Sequence, residues 1–508
     1  MTDSTTETYE LVVAGSGGAA LTAAHLAAKA GLTTAVLERT GLVGGTSAYS
    51  GGACWLPGSA VQRRAGIADS SASARHYLDA VLHGPRPELV ESFLAYAPTL
   101  VDALTADPDF DFEWLPFPEY FAAPGRVAGG RSIQPVAIDR EQLSPTVAAL
   151  VRPPVERDRV GRPGRSRLTG GQALVARLLA MLVRDGGTVC TGHRVSGLCY
   201  DGDRVTGVLV EAAGATIEIR ATRGVLLACG GFEGNTELRV AHGVPGAASW
   251  SMAPPGTNAG ELLRAAVRLG AATAHLDQAW LCPGLLQPDG RASFTLGFRG
   301  GVMVDAAGRR YANECLPYDR FGRQMAARDE RLTSWLVFDS REGGRLPAIA
   351  MPEGDPGEHL AAGTWVSAVT IEELSARMRV DTETLRTTVD RFNDAARVGV
   401  DGDFGRGADE YDTFFAAGGR PNPALVPIDR PPYFAARFVL SDLGTKGGLV
   451  TDAAARVLRT DGSVISGLYA AGNTAASLSG DTYPAPGIPL GTGMVAAALA
   501  VRDLTRMA

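Results

Sequence analysis

Gly15, Gly17 and Ala20, followed by Glu38, are the residues of this chain whose types and spacing point most directly to chemistry. Gly15 permits a tight turn, Gly17 lets a pyrophosphate approach the backbone, and Ala20 stands where only a small side chain lets a helix close on a sheet. Glu38, about 20 residues beyond the glycines, is placed to accept hydrogen bonds from ribose hydroxyls. A carboxylate there repels a 2′-phosphate, which disfavours NADP and leaves NAD or FAD. Other chemistries find no comparable pattern. The seven histidines show no HxH, HxxxH or HExxH spacing for a metal, and no GxSxG elbow marks a hydrolase. Cys54, Cys190, Cys199, Cys229, Cys282 and Cys315 form no CxxC pair, and four of them lie beside apolar residues, as free thiols in a reducing compartment do.

The elements that must position these residues are legible around them. Leu11, Val12 and Val13 form a continuous apolar run, the mark of a parallel strand buried on both faces. The following helix carries Ala20, Ala23, Ala24, Ala27 and Ala28, a narrow face for close packing on a sheet, and residues 31–38 read as the second strand. Three later segments choose between the two cofactors. Gly44 to Gly52 is a second loop of small residues, able to wrap closely around a bulky ring system. Gly230-Gly231-Phe232 follows the strand Val225 to Cys229, and Gly467 to Asn473 ends another strand on a glycine turn. A helix beginning at Gly491 then points its positive end toward the flavin N1/C2-oxygen region, where negative charge gathers on reduction. FAD is therefore the expected cofactor.

With 508 residues, 45% of them hydrophobic and 20% charged, the chain is folded and long enough for two or three domains. The net charge of −7 and the lack of any basic run exclude nucleic acid as a partner. Of 48 basic residues only Lys29 and Lys446 are lysine, a bias that carries no functional reading. Residues Met1 to Glu7 lack the basic and apolar regions of a signal peptide, and no apolar run approaches the roughly 20 residues that span a bilayer. A cytoplasmic protein without an integral membrane segment is expected.

Taken together the motifs resemble the flavoprotein superfamily of fumarate reductases and 3-ketosteroid dehydrogenases, and within it the 3-ketosteroid Δ1-dehydrogenases. The resemblance runs over nearly the whole chain: GSGGAA from Gly15, GGTSAYSGG from Gly44, Leu168 to Leu174, ACGGF from Ala228, Arg309 to Glu314 continuing into Leu316-Pro317-Tyr318-Asp319-Arg320-Phe321-Gly322-Arg323, and Gly480 to Gly487. It implies an α/β fold in which a Rossmann-like FAD-binding domain, built from both chain ends (1–274 and 432–508), receives an inserted α+β catalytic domain (275–431). The Pro/Gly-rich stretch from Gly418 to Pro423 agrees with a boundary there. Ile371 to Val398 reads as two scaffold helices, with Thr370 as the first N-cap and a break before Asp381. The FAD contacts implied are Gly15, Gly17, Gly18, Ala19, Ala20, Glu38, Arg39, Gly45, Thr46, Ser47, Ser50, Gly51, Gly52, Gly230, Gly231, Gly472, Asn473 and Leu490.

Family members place a double bond between C1 and C2 of a 3-ketosteroid, so an unactivated hydride must leave C1. Donors on the C3 carbonyl make the C2 proton acidic, a base removes it, and the C1 hydride passes to flavin N5. By the resemblance, Tyr483 and the Gly487 N–H hold the carbonyl, with Pro484 and Pro486 stiffening the loop and Gly487 leaving its amide unobstructed. Tyr318 maps onto the proton-abstracting tyrosine. Tyr120, counted back from Gly129-Gly130-Arg131, maps onto the tyrosine that assists it. A free tyrosine has a pKa of about 10, so the base needs an activating neighbour. Phe117, Phe121, Phe294 and Phe298 are candidates to line an apolar slot for a flat polycycle. Asp319 and Arg320 read equally as a solvated pair or as a brace. The expected partners are a steroid-like ketone and an electron acceptor that the chain does not identify. A relative acting on a Δ4-(5α) bond or on a smaller cyclohexanone remains open, as does a flavin-binding protein without turnover.

Overall fold

The computed structural model describes residues 7–84, 86–328, 334–416 and 418–506. The reading of residues 1–6 as lacking a leader falls outside them. The chain divides into two compact units, one made of residues 1–243, 253–278 and 444–508, the other of 244–252 and 279–443.

The first unit is organised on a parallel core. β1 (Glu7–Ala14) turns through Gly15 to Gly17 into α1 (Gly18–Lys29), which returns to β2 (Thr34–Glu38). β1 lies between β2 and the strand Ala215–Leu227, parallel to both, with Val12 opposite Ala35 on one side and Val225 on the other. Thr188–Thr191 extends the sheet beyond β2, and Val464–Ala470 pairs in parallel with Ala215–Leu227. The hairpin partners Arg204–Ala212 and Arg194–Asp201 run antiparallel at the other side. Leu11, Val12 and Val13 are fully buried, as a strand covered on both faces requires.

The C-terminal helix begins at Ile488, three residues before the Gly491 start expected from the sequence, and runs to Arg506. Pro489 falls in its first turn, where a missing N–H costs nothing. Ala19, Gly472 and Gly493 let this helix, the 472 turn and α1 approach closely: a Cβ on Gly493 would sit 3.0 Å from Gly472 Cα and 3.5 Å from Ala19 Cβ. By length and composition it is the one helix among the described residues able to cross a membrane, and 56% of its apolar window is buried within the fold.

The second unit is built on a mostly antiparallel sheet in the order Val302–Val304, Ser334–Asp339, Tyr433–Thr445, Ala279–Leu286, Ala292–Leu296, Ile349–Met351. Tyr433 to Phe438 pair with Asp339 to Ser334. That pairing carries 432–443 with this unit, so the division falls at 278/279 and 443/444 instead of 274/275 and 431/432. Two helices, Ile371–Met378 and Thr382–Val398, pack on the sheet, capped by the side chains of Thr370 and Asp381. Leu385, Val389, Phe392 and Ala396, spaced at 3.6-residue period, join Leu374, Trp335, Val337 and Ala435 in one core cluster.

A buried charge network holds the Arg309–Glu314 motif. Glu314 accepts two bonds from Arg310, at 2.9 Å each, one from Arg406 at 3.0 Å and one from the Met303 N–H at 2.9 Å. Burial pushes its carboxyl up, but the two guanidinium groups outweigh that and hold it below the usual carboxylate range. The motif therefore contributes architecture to this unit.

Candidate active site

In the first unit the cofactor cradle forms where several backbones approach too closely for side chains. Gly15 has φ +101°, and a Cβ there would lie 2.4 Å from the Ala228 carbonyl oxygen at the end of a neighbouring strand. Gly17 occupies the N-cap of α1 and offers no capping side chain, so the helix start presents N–H groups to an anion. Gly18 N–H donates to Ser47 Oγ at 3.0 Å, tying α1 to the 3₁₀ turn Gly45–Tyr49. Ala20, in the first turn of α1, is fully buried. Glu38 ends β2 as expected. Its carboxylate accepts from Ser16 Oγ at 2.5 Å and from both the N–H and the hydroxyl of Thr40 at 2.8 Å. Arg39 lies 3.6 Å from Glu261.

The small-residue loop is pinned from below by the Leu168–Leu174 motif. Gly171 N–H donates to the Ser50 carbonyl at 3.0 Å, and a Cβ at Gly52 (φ +75°) would come within 2.4 Å of the Gly170 carbonyl carbon. Gly170 and Gly171 thus let the helix Gly170–Arg184 meet the loop directly. Ser50 Oγ bridges the Ser47 carbonyl and the Gly52 N–H, and Gly51 is left open. Thr46 Oγ1 accepts from Asn258 at 3.4 Å. Asn258 also donates to Glu233, a fully buried carboxylate that takes the Thr445 N–H and hydroxyl at 3.2 Å. Glu233 follows Gly230 and Gly231, and its only sequence signal was its place beside them. Gly472 and Asn473 form the 3₁₀ turn after the last strand, and Leu490 lies near Gly18, where a Cβ would be 3.3 Å away. A glycine-walled cradle, an uncapped helix start and a carboxylate at the strand end fit the dinucleotide part of FAD.

The same unit carries the Tyr483–Gly487 loop, and its carbonyls are almost all engaged. Pro484 O accepts from Tyr77 Oη at 2.6 Å and from Tyr120 N–H at 2.9 Å. Pro486 O accepts from Ser132 Oγ at 2.7 Å, and Gly487 O from the Trp55 N–H at 3.1 Å. Gly487 has φ +86°, and a Cβ there would sit 2.6 Å from Ala53. Among the described residues its N–H meets no acceptor. Tyr120 and Tyr483 pack edge to face with ring centroids 5.2 Å apart, both buried, and Phe117 packs against Tyr120 at 6.3 Å.

Beneath Tyr120 lies a buried ion network that the sequence reading did not find. Arg131 and Glu119 are fully buried and meet at 2.9 Å, and Arg131 lies 3.3 Å from Asp69. Glu119 also accepts the Trp55 indole N–H at 2.9 Å and the Val127 N–H at 3.1 Å. Burial outweighs these partners and pushes its carboxyl above the usual range. Tyr77 completes the clamp by accepting the Phe121 N–H at 3.2 Å. Its phenol is pushed up by burial, so it stays a neutral donor.

In the second unit, Tyr318 opens the helix Tyr318–Ala326 directly after Pro317. Its ring is buried and packs edge to face on Phe294 at 4.9 Å. Asp319 acts as a brace and pairs with Arg323 at 2.8 Å, one turn on. The other oxygen of Asp319 accepts the Leu281 N–H at 3.1 Å. Gly322 lets the helix lie flat on that strand, since a Cβ would sit 2.8 Å from the Cys282 nitrogen. Phe298 is buried in the core of this unit, packed against Phe321 and Phe438.

A family model described as FAD binding domain matches residues 10–490. The 3-oxosteroid 1-dehydrogenase of Rhodococcus opacus is 39% identical over 528 residues, covering 100% of both chains. The 4-oxocyclohexanecarboxylate 2-dehydrogenase of Sinomonas cyclohexanicum is 35% identical and covers 99% of this chain and 93% of its own. Among solved structures, the 3-ketosteroid delta1-dehydrogenase of Sterolibacterium denitrificans, in complex with 1,4-androstadiene-3,17-dione, superimposes with a TM-score of 0.91 at 30% identity, over 99% of this chain and 100% of its own.

Proposed function

The chain belongs to the FAD-binding flavoprotein family of the 3-oxosteroid 1-dehydrogenases, and from that premise we propose that it desaturates the C1–C2 bond of a 3-ketosteroid with FAD as its cofactor. The observation that carries the site assignment is the Tyr483–Gly487 loop, whose carbonyls are clamped while the Gly487 N–H stays available. Two donors on one rigid loop, the Tyr483 hydroxyl and this N–H, hold the C3 carbonyl and stabilise the charge that develops on its oxygen. Polarisation of that carbonyl acidifies C2. Tyr318 takes the C2 proton, and Tyr120, whose ring packs on Tyr483, assists it. FAD, held by the Gly15–Ala20 turn, Glu38 and the Gly45–Gly52 loop, supplies the acceptor for the hydride that leaves C1. Phe294 presents an apolar edge beside Tyr318 to the flat ring system.

The finer architecture, an FAD-binding domain from both chain ends with an inserted catalytic domain, is part of this proposal and is supported by the way both ends join one unit. A cytoplasmic location is proposed on the six unpaired cysteines. The test is anaerobic mixing of the yellow protein with 4-androstene-3,17-dione. Loss of the oxidised flavin band together with a product lighter by two hydrogens is the expected result, with the new bond placed at C1–C2 by NMR. A second reading, the same chemistry on a smaller ring ketone, is supported by the similarity to the Sinomonas cyclohexanicum enzyme. Bleaching by cyclohexanones and not by the steroid would select it.

A further inference from the structure

Tyr77 lies on the helix Ser71–Val81 and is fully buried. Its hydroxyl donates to the Pro484 carbonyl at 2.6 Å and accepts the Phe121 N–H at 3.2 Å. Pro484 directly follows Tyr483 and Phe121 directly follows Tyr120, so one oxygen touches the residue next to each of these two tyrosines. A third bond closes the set, because the Tyr120 N–H donates to the same Pro484 carbonyl at 2.9 Å. The rings of Tyr120 and Tyr483 then meet edge to face, with centroids 5.2 Å apart and planes at 68°.

A phenol has one proton to give and lone pairs to accept with. A carbonyl only accepts and an N–H only donates, so these partners fix which way the Tyr77 proton points. Burial pushes the phenol up and keeps that proton on its oxygen. The residue is also held from behind. The Arg131 guanidinium lies over its ring at 5.8 Å, and a Cβ at Gly125 would come within 2.6 Å of its backbone nitrogen. Misplacing a reacting group by about 1 Å can cost about 100-fold in rate, so a bond that sets the separation of two active-site side chains bears on turnover. We propose that Tyr77 is a positioning residue for the dehydrogenation: through one oxygen it sets the Tyr120 and Tyr483 rings against each other and so holds the Tyr483 hydroxyl where the C3 carbonyl docks. The proposal rests on the reading of Tyr483 as a carbonyl-holding donor.

The experiment uses the holoenzyme, mixed anaerobically with 4-androstene-3,17-dione, and reads the rate of flavin reduction at saturating steroid per bound FAD. Tyr77→Phe is expected to lower that rate roughly 10- to 100-fold, with the half-saturating steroid concentration little changed. In a Tyr483→Phe background, where no hydroxyl is left to place, the same change is expected to cost less than about threefold. Tyr77→4-aminophenylalanine, which puts a donor back opposite the Pro484 carbonyl, is expected to recover part of the lost rate. A parental rate in Tyr77→Phe, an equal fall in both backgrounds, or no recovery with the amino group would each overturn the proposal. Should Tyr77→Phe fail to hold FAD, amide exchange in the parental holoenzyme decides: slow exchange at Tyr120 and Phe121 is expected, and exchange as fast as in an unfolded chain sinks the bridge. Tyr483→Phe alone separates the two readings. If it reduces flavin at the parental rate, the carbonyl-holding assignment fails; if it is slow while Tyr77→Phe is parental, only the role of Tyr77 fails.

Discussion

Removing one oxygen atom tests the proposed roles most directly. Tyr483→Phe deletes a carbonyl donor and Tyr318→Phe deletes the base, so each is expected to lower turnover by roughly 10²- to 10⁴-fold. FAD content, measured from the flavin spectrum, is expected to stay at one per chain in both, because neither residue belongs to the Gly15–Ser50 cradle. Gly487→Ala is a harsher change. At φ +86° an alanine is strained, and its Cβ would lie 2.6 Å from the Ala53 backbone, so the loop must shift and with it the N–H on which the carbonyl assignment rests. Steady-state kinetics with the steroid ketone are expected to show a fall in kcat as well as a rise in KM. Such a position was visible as a glycine in the sequence, but the reason for it was not: the opposing strand of backbone comes from residues 53–54, more than four hundred positions away.

At the scale of elements, the helix that opens with Tyr318 is a lever whose seat is a strand. Asp319 fastens it to the Leu281 N–H and to Arg323, and Gly322 leaves out a side chain that would hold it off. Asp319→Asn replaces an acceptor for two donors with a group that satisfies one of them less well, and is expected to cost about 1–3 kcal/mol in urea unfolding. A matching fall in kcat without loss of FAD would tie the brace to the position of Tyr318. The two scaffold helices behave differently. Phe392 sits in the core cluster between them and the sheet, so Phe392→Ala is expected to cost about 3–5 kcal/mol while leaving the kinetics of the folded fraction unchanged. The helices were legible because Thr370, Asp381 and the apolar period are local signals. The helix brace was not, because Leu281 contributes a backbone amide that no side-chain pattern reports.

For the whole molecule, two buried histidines set an acid limit on stability, one in each unit. His359, stacked on Trp365 and bonded through Nδ1 to Thr364, is pushed by burial from 6.5 to about 4. His25, beside Asp185, is lowered by burial as well. A depressed histidine is neutral in the fold and takes up a proton more readily when unfolded. Its contribution is therefore complete above about pH 6.5, declines as pH falls, and levels off below about pH 4 for His359. The expected loss from His359 is about 2 kcal/mol between neutral pH and pH 5, measured by denaturant unfolding, and His359→Gln is expected to flatten that limb.

Local signals in the chain were enough for the cofactor turn, the strand carrying Glu38, the two capped helices and, through the family motifs, the tyrosines assigned to the chemistry. All of these depend on neighbours a few residues apart, where propensity, spacing and glycine conformation act directly. What holds those groups still emerges from the packing of distant segments. The clamp of Tyr77, Ser132 and Trp55 on the Tyr483–Gly487 loop, the buried Arg131–Glu119–Asp69 network and the seat of the Tyr318 helix all join segments far apart in the chain. Hydrogen bonds to backbone carbonyls and ion pairs in a dry interior leave no periodic trace, because the partner is set by how elements pack and not by what lies beside it in sequence.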